Sequence, residues 1–590
     1  MKILTNISSP RDLKSLSIKE LTTLAMEIRT LIIDVMAKNG GHLASSLGSV
    51  ELILALHYVF DSPIDKLIFD TSHQTYAHKI ITGRKDLFNT IRQFKGLSGF
   101  ACPTESPHDH FYAGHAGTGL SLALGVAKSR DLRGSAEHVV PVLSDAPLAC
   151  GLTLEALNHI SPDLKKFTLV LNDNAMAISH GVGTIHNDIL GGTHAKEFFN
   201  QFGLHYLGPV DGHNIEALIQ VLELAKESDK PTLVHTITIK GHGMPKAVED
   251  PIAYHGVKPL HITPSSKPTF PKIFGKHLLK MADSDSSLVV ISPAMLGGSC
   301  LDPFMNKYPA RCIDVGIAEG HAVTFAGGLA YQGHQKVVCC IYATFFQRAL
   351  DNLFQDVVLQ DIPVVFALDR GGLSPSDGTT HHGVFDISFL VAMPKMVIAQ
   401  PRDGDMLKDL LESAFEWNRP VAIRYPNMQT EDTNRSIIHR PLGKGEILTK
   451  GKDIVLIALG HMASVAIEVR EILLQHQIEA TIVDPIFVKP LDTALLFHLM
   501  LDHHYFVTIE EHSITTGLGM VVNSFVMQSG FSDIQVQNFG LPDQFIEQGT
   551  YEELMCEAHL TPRKIAHQIL ERFSLNQPIS AYEKHRNLSK

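Results

Sequence analysis

"HVVPVLSDAPLACG", residues 138–151, is the stretch on which the fold turns. Its first half is a run of β-formers ending at Ser144 and Asp145, and its second half suits the first turn of a helix, with Pro147 near the start. "FTLVLNDNAMAIS" (167–179) repeats the pattern, a strand-like run ending in Asp173 and Asn174. Asp145 and Asn174 stand 29 residues apart, one βα crossover, which predicts neighbouring parallel strands with both side chains at the carboxyl edge. Oxygen donors at that edge suit Mg2+, and a helix start beside them suits a phosphate. A plainer reading, in which Asp145 caps a helix and Asn174 closes a turn, fits the same residues.

Similar runs flank this pair. "DKLIFD" (65–70) and "PTLVHTIT" (231–238) read as buried strands, with helical stretches between the strands and over 18–60. Apolar strands alternating with helices predict an α/β fold with a mostly parallel, doubly wound sheet. "HGVKPLHITPSSKPT" (255–269) is rich in Pro and Ser and reads as a linker. A second βα series follows, including "KVVCCIYATF", "IPVVFALDR" and "PVAIRYP", and a third opens near residue 441 with "DIVLIALG", "EATIVDP" and "HYFVTIEEH". The predicted organisation is a first domain over 1–255, a linker over 256–270, a second domain over 271–440 and a third over 441–590.

Composition narrows the function. With 44% hydrophobic and 19% charged residues, the chain has the apolar material for large cores. A net charge of −12 without a dense Lys/Arg run argues against a nucleic-acid partner. Seven scattered cysteines without CxxC spacing fit free thiols in a reducing compartment better than a disulfide frame or a zinc site. The sequence contains no run of 18 apolar residues that would predict a membrane span, and "MKILTNISSPRDLKSL" lacks a signal-peptide core, so a cytoplasmic protein is expected.

A second candidate site lies in "DVGIAEGHAVTFAGGLA" (314–330), where Glu319 follows a strand among small and apolar residues. A carboxylate there is either a helix N-terminal acid or a buried catalytic acid. "IYATFFQRALDN" (341–352) brings Tyr342, Phe345 and Arg348 together, at a spacing that more often means core.

"GGHLASSLGSVELILALHYVF" (40–60), "SHQTYAHKIITGR" (72–84), "AGHAGTGLSLALGVA" (113–127), "LGPVDGHN" (207–214), "IAEGHAVTFAGGLA" (317–330), "IYATFFQRALDN", "FVKPLD" (487–492) and "GLPDQFIEQGTYEEL" (540–554) carry a resemblance. Over nearly its whole length the chain resembles the 1-deoxy-D-xylulose-5-phosphate synthases, thiamine-diphosphate enzymes related to transketolase. The resemblance implies three α/β domains with a transketolase-like fold, a homodimer, and a cofactor bound between the first two domains. It implies a decarboxylating condensation of pyruvate with D-glyceraldehyde 3-phosphate to 1-deoxy-D-xylulose 5-phosphate, a first step toward isoprenoid precursors. By the same resemblance, Asp145, Asn174 and the main-chain carbonyl of Met176 hold Mg2+, and Gly114, His115, Ala146 and Lys240 lie along the diphosphate. Glu319 faces the aminopyrimidine ring and Phe345 stacks on it. His42 and His73 serve proton transfers near the reacting carbon. Tyr342, Arg370 and Arg424 contact the acceptor phosphate, with Asp377 and His381 beside them.

The chain also departs from that family. Where the family reads Gly-Asp-Gly, this chain has Ser144, Asp145 and Ala146, followed by Pro147. Alanine there requires a negative φ. Proline removes an N–H from a turn whose amides face the diphosphate in the family. One lost hydrogen bond to a charged group costs about 1.5–3 kcal/mol, or about 10- to 150-fold in affinity. Gly320 replaces the usual glutamine, and between Ser179 and "FGLHYLGPVDGH" the chain is shorter than typical members. These departures keep two other readings open: a transketolase-type enzyme with a different donor or acceptor, and a weakened or noncatalytic paralogue.

Overall fold

A computed structural model describes residues 2–176, 181–190, 194–261 and 266–575. Three sheets organise the chain. The first takes β1 (Lys66–Phe69), β2 (Val139–Ser144), β3 (Thr168–Asp173), β4 (His205–Asp211) and β5 (Thr232–Ile237) in the order β1-β2-β3-β5-β4, all parallel. Its central strands are buried along almost their whole length, as the unbroken apolar runs require of a sheet covered on both faces. Pro141 sits inside β2 without disrupting it. Lys66 N and Asp70 N bond His138 O and Val142 O, so by alternation the missing N–H of Pro141 faces β3, where the continuous ladder begins at Val142 after an isolated bridge between Val139 and Phe167.

The second sheet contains β6 (Leu288–Ser292), β7 (Cys312–Asp314), β8 (Lys336–Tyr342), β9 (Val364–Asp369), β10 (Val397–Ala399) and β11 (Val421–Tyr425). The third contains β12 (Glu446–Thr449), β13 (Ile454–Ala458), β14 (Ala480–Asp484), β16 (Tyr505–Ser513) and β17 (Gln535–Leu541). Between them β15 (Phe487–Lys489), part of the "FVKPLD" motif, leaves the third series and pairs antiparallel with β10 at the edge of the second sheet. The two sheets also share a core, in which Val455, Ile457, Phe506 and Val522 pack with Ile341, Phe346 and Phe366.

The helix Ile18–Asn39 shows how local sequence sets an element. Ser17 and Glu20 form a reciprocal capping box at its start, and Leu21, Leu24, Ala25, Ile28, Ile32 and Met36 recur on the face that packs into the first core.

The stretch expected as a linker is held closely. Gly41 and Val257 exchange both backbone hydrogen bonds at 2.9 Å, and Leu260 N donates to Ala37 O. Residues 262–265 lie outside the described residues, as do 191–193 within the shortened connection.

Candidate active site

Ser144, Asn174, Tyr342 and Arg370 stand at or just past the carboxyl ends of β2, β3, β8 and β9, and all line one cavity of about 620 Å³. The cavity lies between the first two sheets of a single chain. Every residue expected to bind ligand or take part in the chemistry lines it except His115, Asp145 and Arg424.

At one end Asp145 is fully buried, between Ser144 and Ala146 of the cavity wall. Its Oδ2 and the Oδ1 of Asn174 accept from the same N–H, that of Met176, at 2.9 and 3.1 Å. Its Oδ1 is buried with no hydrogen-bond partner. Burial, with Asp173 close by, pushes this carboxyl up to about 7. Lys240 is also buried on the wall, and burial brings its amine down to about 8 against the opposing pull of Asp145. Two oxygens gathered on one N–H, with a third left unpaired, form a donor set suited to a hard cation. Ala146 is not among the residues with positive φ, which meets the condition for alanine there. Pro147 lines the cavity within the turn Ala146–Ala149, where Leu148 N already donates to Asp145 O at 3.0 Å.

Lys240 is placed from behind by a chain of polar contacts. His213 accepts from Ile239 N at 2.8 Å and contacts Glu51 at 3.2 Å, while Arg29 pairs with the same carboxylate. Glu51, His213 and His242 lie close enough to share an ion, but Arg29 already supplies the positive charge there.

The glycine-rich loop is pinned by Asp70, whose buried carboxylate accepts from Gly117 N at 2.9 Å and Gly119 N at 2.8 Å. Gly117 has φ +91°, and a Cβ there would meet Cys150 Sγ at 2.8 Å, so only glycine fits. Gly114 reaches the cavity. His115, next to it, turns elsewhere: its Nε2 lies 2.7 Å from Thr380 O and 3.2 Å from Thr344 Oγ1, and its ring meets the edge of Phe345. These contacts tie the first sheet's loop to the second domain.

Glu319 opens the helix Glu319–Ala330 and is 6% exposed. Burial raises its carboxyl above the ordinary range, opposed by Arg348, whose Nη1 lies 3.6 Å away. Arg348 also donates to Ala116 O, which joins the glycine-rich loop to Glu319. Phe345 stacks on Tyr342 with ring centroids 5.6 Å apart.

The other end is lined by aromatic and histidine rings. His42, His73 and His255 lie 5.5–5.7 Å apart, and Phe100 stacks on His381 at 5.0 Å. Burial depresses all of these imidazoles, His73 to about 3 and His42 and His255 well below their usual value. They are neutral at pH 7, and Nδ1 of His42 and of His73 has no hydrogen-bond partner. The Arg370 guanidinium lies 4.0 Å over the Tyr342 ring and pairs with Asp369. Burial pushes the Asp377 carboxyl up, but Arg92, at 2.7 Å, and nearby histidines more than offset this and hold it below the usual range.

Arg424 is a correction. Its position near the end of β11 suggested the cavity edge, but the side chain is 0% exposed and directed inward. It donates to Asp386 at 2.7 Å, to Gln400 at 2.6 Å and to Gly383 O at 2.8 Å. Three of its five N–H groups are taken and the side chain is wholly buried away from the cavity, to which this segment contributes Asn427 instead. Sequence reasoning also missed His255, Phe100, Arg92 and Asp70. His255 stood inside the stretch read as a linker, and the Gly41–Val257 pairing, with Ala44 N donating to Tyr254 O, brings it to His42.

Comparison with known proteins identifies the family. The family profile described as 1-deoxy-D-xylulose-5-phosphate synthase matches residues 4–193 and 187–238. The transketolase pyrimidine binding domain matches 266–432 and the transketolase C-terminal domain 443–565. The 1-deoxy-D-xylulose-5-phosphate synthase of Chlamydia felis (strain Fe/C-56) is 44% identical over 640 aligned positions, covering 99% of this chain and 98% of the relative. That of Chlamydia pneumoniae is 46% identical over 631, covering 97% of each. Among solved structures, a transketolase from Campylobacter jejuni is 17% identical with a TM-score of 0.45, covering 94% of this chain and all of the other. The 640 aligned positions exceed the 590 residues here, so the Chlamydia felis relative has residues with no counterpart in this chain. The family match breaks where its two segments meet, at 187–193, within the connection that reads as short. Full-length identity at this level and a cavity built from the expected residues place the chain in the 1-deoxy-D-xylulose-5-phosphate synthase family.

Proposed function

We propose that this chain condenses pyruvate with D-glyceraldehyde 3-phosphate, releasing carbon dioxide and forming 1-deoxy-D-xylulose 5-phosphate, with thiamine diphosphate and Mg2+ bound in the cavity. The observation that carries this reading is one cavity between two sheets that is lined by a buried acid, Glu319, and walled at its other end by Ser144 and Ala146, which flank the buried Asp145 carboxylate with its unpaired Oδ1. Asp145, Asn174 and the Met176 carbonyl would hold the ion, and Lys240 and the Gly114 loop would hold the diphosphate. Bound thiamine diphosphate supplies a carbon nucleophile and an electron sink for decarboxylation.

The chain's own groups do the rest. Burial raises the Glu319 carboxyl and so favours its protonated form, the form that can donate to the ring. His42 and His73 present neutral rings whose Nδ1 atoms can accept or hand on a proton. Arg370, held flat on Tyr342, offers its remaining donors to the acceptor phosphate, beside Asp377 and His381. The same reading makes the protein a cytoplasmic homodimer. Among the described residues, no helix is long and apolar enough to cross a membrane.

Pro147 on the cavity wall supports a second reading, a paralogue of weakened cofactor affinity. Calorimetric titration with thiamine diphosphate and Mg2+, followed by turnover of pyruvate with D-glyceraldehyde 3-phosphate, separates the two. Binding with turnover is expected. Binding without turnover on this pair points to another donor or acceptor, and no binding at millimolar cofactor overturns the proposal.

A further inference from the structure

Asp145 has a neighbour on the turn Ile185–Leu190, a segment the sequence motifs do not cover. His186 Nδ1 lies 3.9 Å from Asp145 Oδ2. The imidazole side chain is 6% exposed, and its Nδ1 is buried without a hydrogen-bond partner, as is Asp145 Oδ1. A separation of 3.9 Å is too long for a hydrogen bond. It suits two ligands of one ion, because bonds of about 2.0–2.2 Å leave ligand atoms roughly 3–4 Å apart.

The ring is not free to turn away. A Cβ on Gly181 would meet His186 Nδ1 at 2.4 Å and Cγ at 2.5 Å, so the imidazole lies directly against the glycine backbone. Ile185 and Leu190 anchor the turn in the core of the first sheet. Val182 reaches across to Gly316, just before Glu319: a Cβ added to that glycine would lie 3.1 Å from Val182 Cγ2. His186 immediately precedes 187–193, where the two segments of the family match overlap, so the shortened connection carries the imidazole that lies 3.9 Å from Asp145.

We propose that His186 is a nitrogen ligand of the ion held by Asp145, Asn174 and the Met176 carbonyl, and that this chain thereby favours first-row transition ions over Mg2+. The inference rests on the metal site proposed above and adds a donor to it. Mg2+ prefers oxygen ligands, whereas imidazole nitrogen strengthens binding along the first-row series. An additional protein–metal bond also offsets the amide that Pro147 removes from the same end of the cavity.

The test is binding, with no turnover required. Pulsed EPR of Mn2+ bound together with thiamine diphosphate should show nitrogen modulation from a directly bound imidazole, absent in His186→Ala. Calorimetry with Co2+ and with Mg2+ should show the substitution lowering Co2+ affinity by at least about 10-fold, the lower end of what losing a group that merely supports a ligand already costs, with Mg2+ affinity little changed. Gly181→Ala, which displaces the ring, should cause the same loss of selectivity. Ion binding by the parent protein without nitrogen modulation, or an unchanged Co2+/Mg2+ ratio in His186→Ala, overturns the His186 assignment and leaves the oxygen site standing. An equal fall for both ions overturns it too, since that marks a packing role. Failure of the parent protein to bind either ion with thiamine diphosphate overturns the metal site itself.

Discussion

The two ends of the cavity are prepared in opposite ways. At the acceptor end the charges already have partners: Arg370 with Asp369, Asp377 with Arg92. At the other end Asp145 is buried with one oxygen unpaired, and its nearby cation, Lys240, is itself weakened by burial. The acceptor end is therefore set before any ligand arrives, whereas the Asp145 end becomes favourable only when a cation does. Glu319 stands between them, its carboxyl raised by burial while Arg348 pulls the other way. The largest effect is expected there. Glu319→Gln should lower turnover by about 10²- to 10⁴-fold with little change in melting temperature, since the amide has the same shape. Retained turnover would mean that the proton is held elsewhere.

The next effect separates two arginines on adjacent strands. Arg424→Met leaves Asp386 buried without its cation, and should cost about 3–5 kcal/mol of stability, read from denaturant unfolding, without raising KM for D-glyceraldehyde 3-phosphate. Arg370→Lys keeps the charge but loses the planar fork, and should raise that KM by about tenfold with a smaller loss of stability. A rise in KM confined to Arg424→Met would reverse the assignment of these residues.

Those two arginines also show what the sequence could reveal. Strand-end position is legible because apolar runs and polar stops mark it, which is why Ser144, Asn174, Tyr342 and Arg370 all reach the cavity. The side on which a strand-end side chain emerges is not legible from a single run. Whether Arg424 meets solvent or Asp386 depends on how the second sheet packs against its neighbours. The alternation of strands and helices likewise revealed three α/β units, but not that β15 would join the second sheet, because three residues carry too little pattern to choose a partner. His255 was hidden by composition: a Pro/Ser-rich stretch reads as a spacer whether or not its first residues are pinned.

The third effect concerns Asp145 directly. Its folded value of about 7 lies above the ordinary 3.8, so the ionised carboxylate costs the fold stability. That cost is absent below about pH 4, grows through the interval and is complete above about pH 7. Without metal or cofactor, Asp145→Asn should be more stable than the parent by about 4 kcal/mol at pH 8, and by less than half as much at pH 5. Adding thiamine diphosphate and Mg2+ should stabilise the parent and not the variant. A difference that does not change with pH would mean that Asp145 is already compensated and that the two ends are alike.

The smallest effect, and the most specific to this chain, is at Pro147. The turn Ala146–Ala149 already uses Leu148 N on Asp145 O, so the amide at position 147 is the one the turn could direct toward an anion, and proline removes it. Pro147→Ala restores that donor while keeping a side chain small enough for the wall. Thiamine diphosphate should then bind about 10- to 150-fold more tightly, the equivalent of one hydrogen bond to a charged group, with the affinity for Mg2+ alone little altered. The gain should be smaller with Co2+ than with Mg2+ as the partner ion if His186 has already offset the missing amide, because a site that holds its ion more firmly depends less on one donor to the phosphate. Equal affinity in parent and variant would show that position 147 does not face the diphosphate, and would shift the weakness of this end from the backbone of the turn to the buried charge of Asp145.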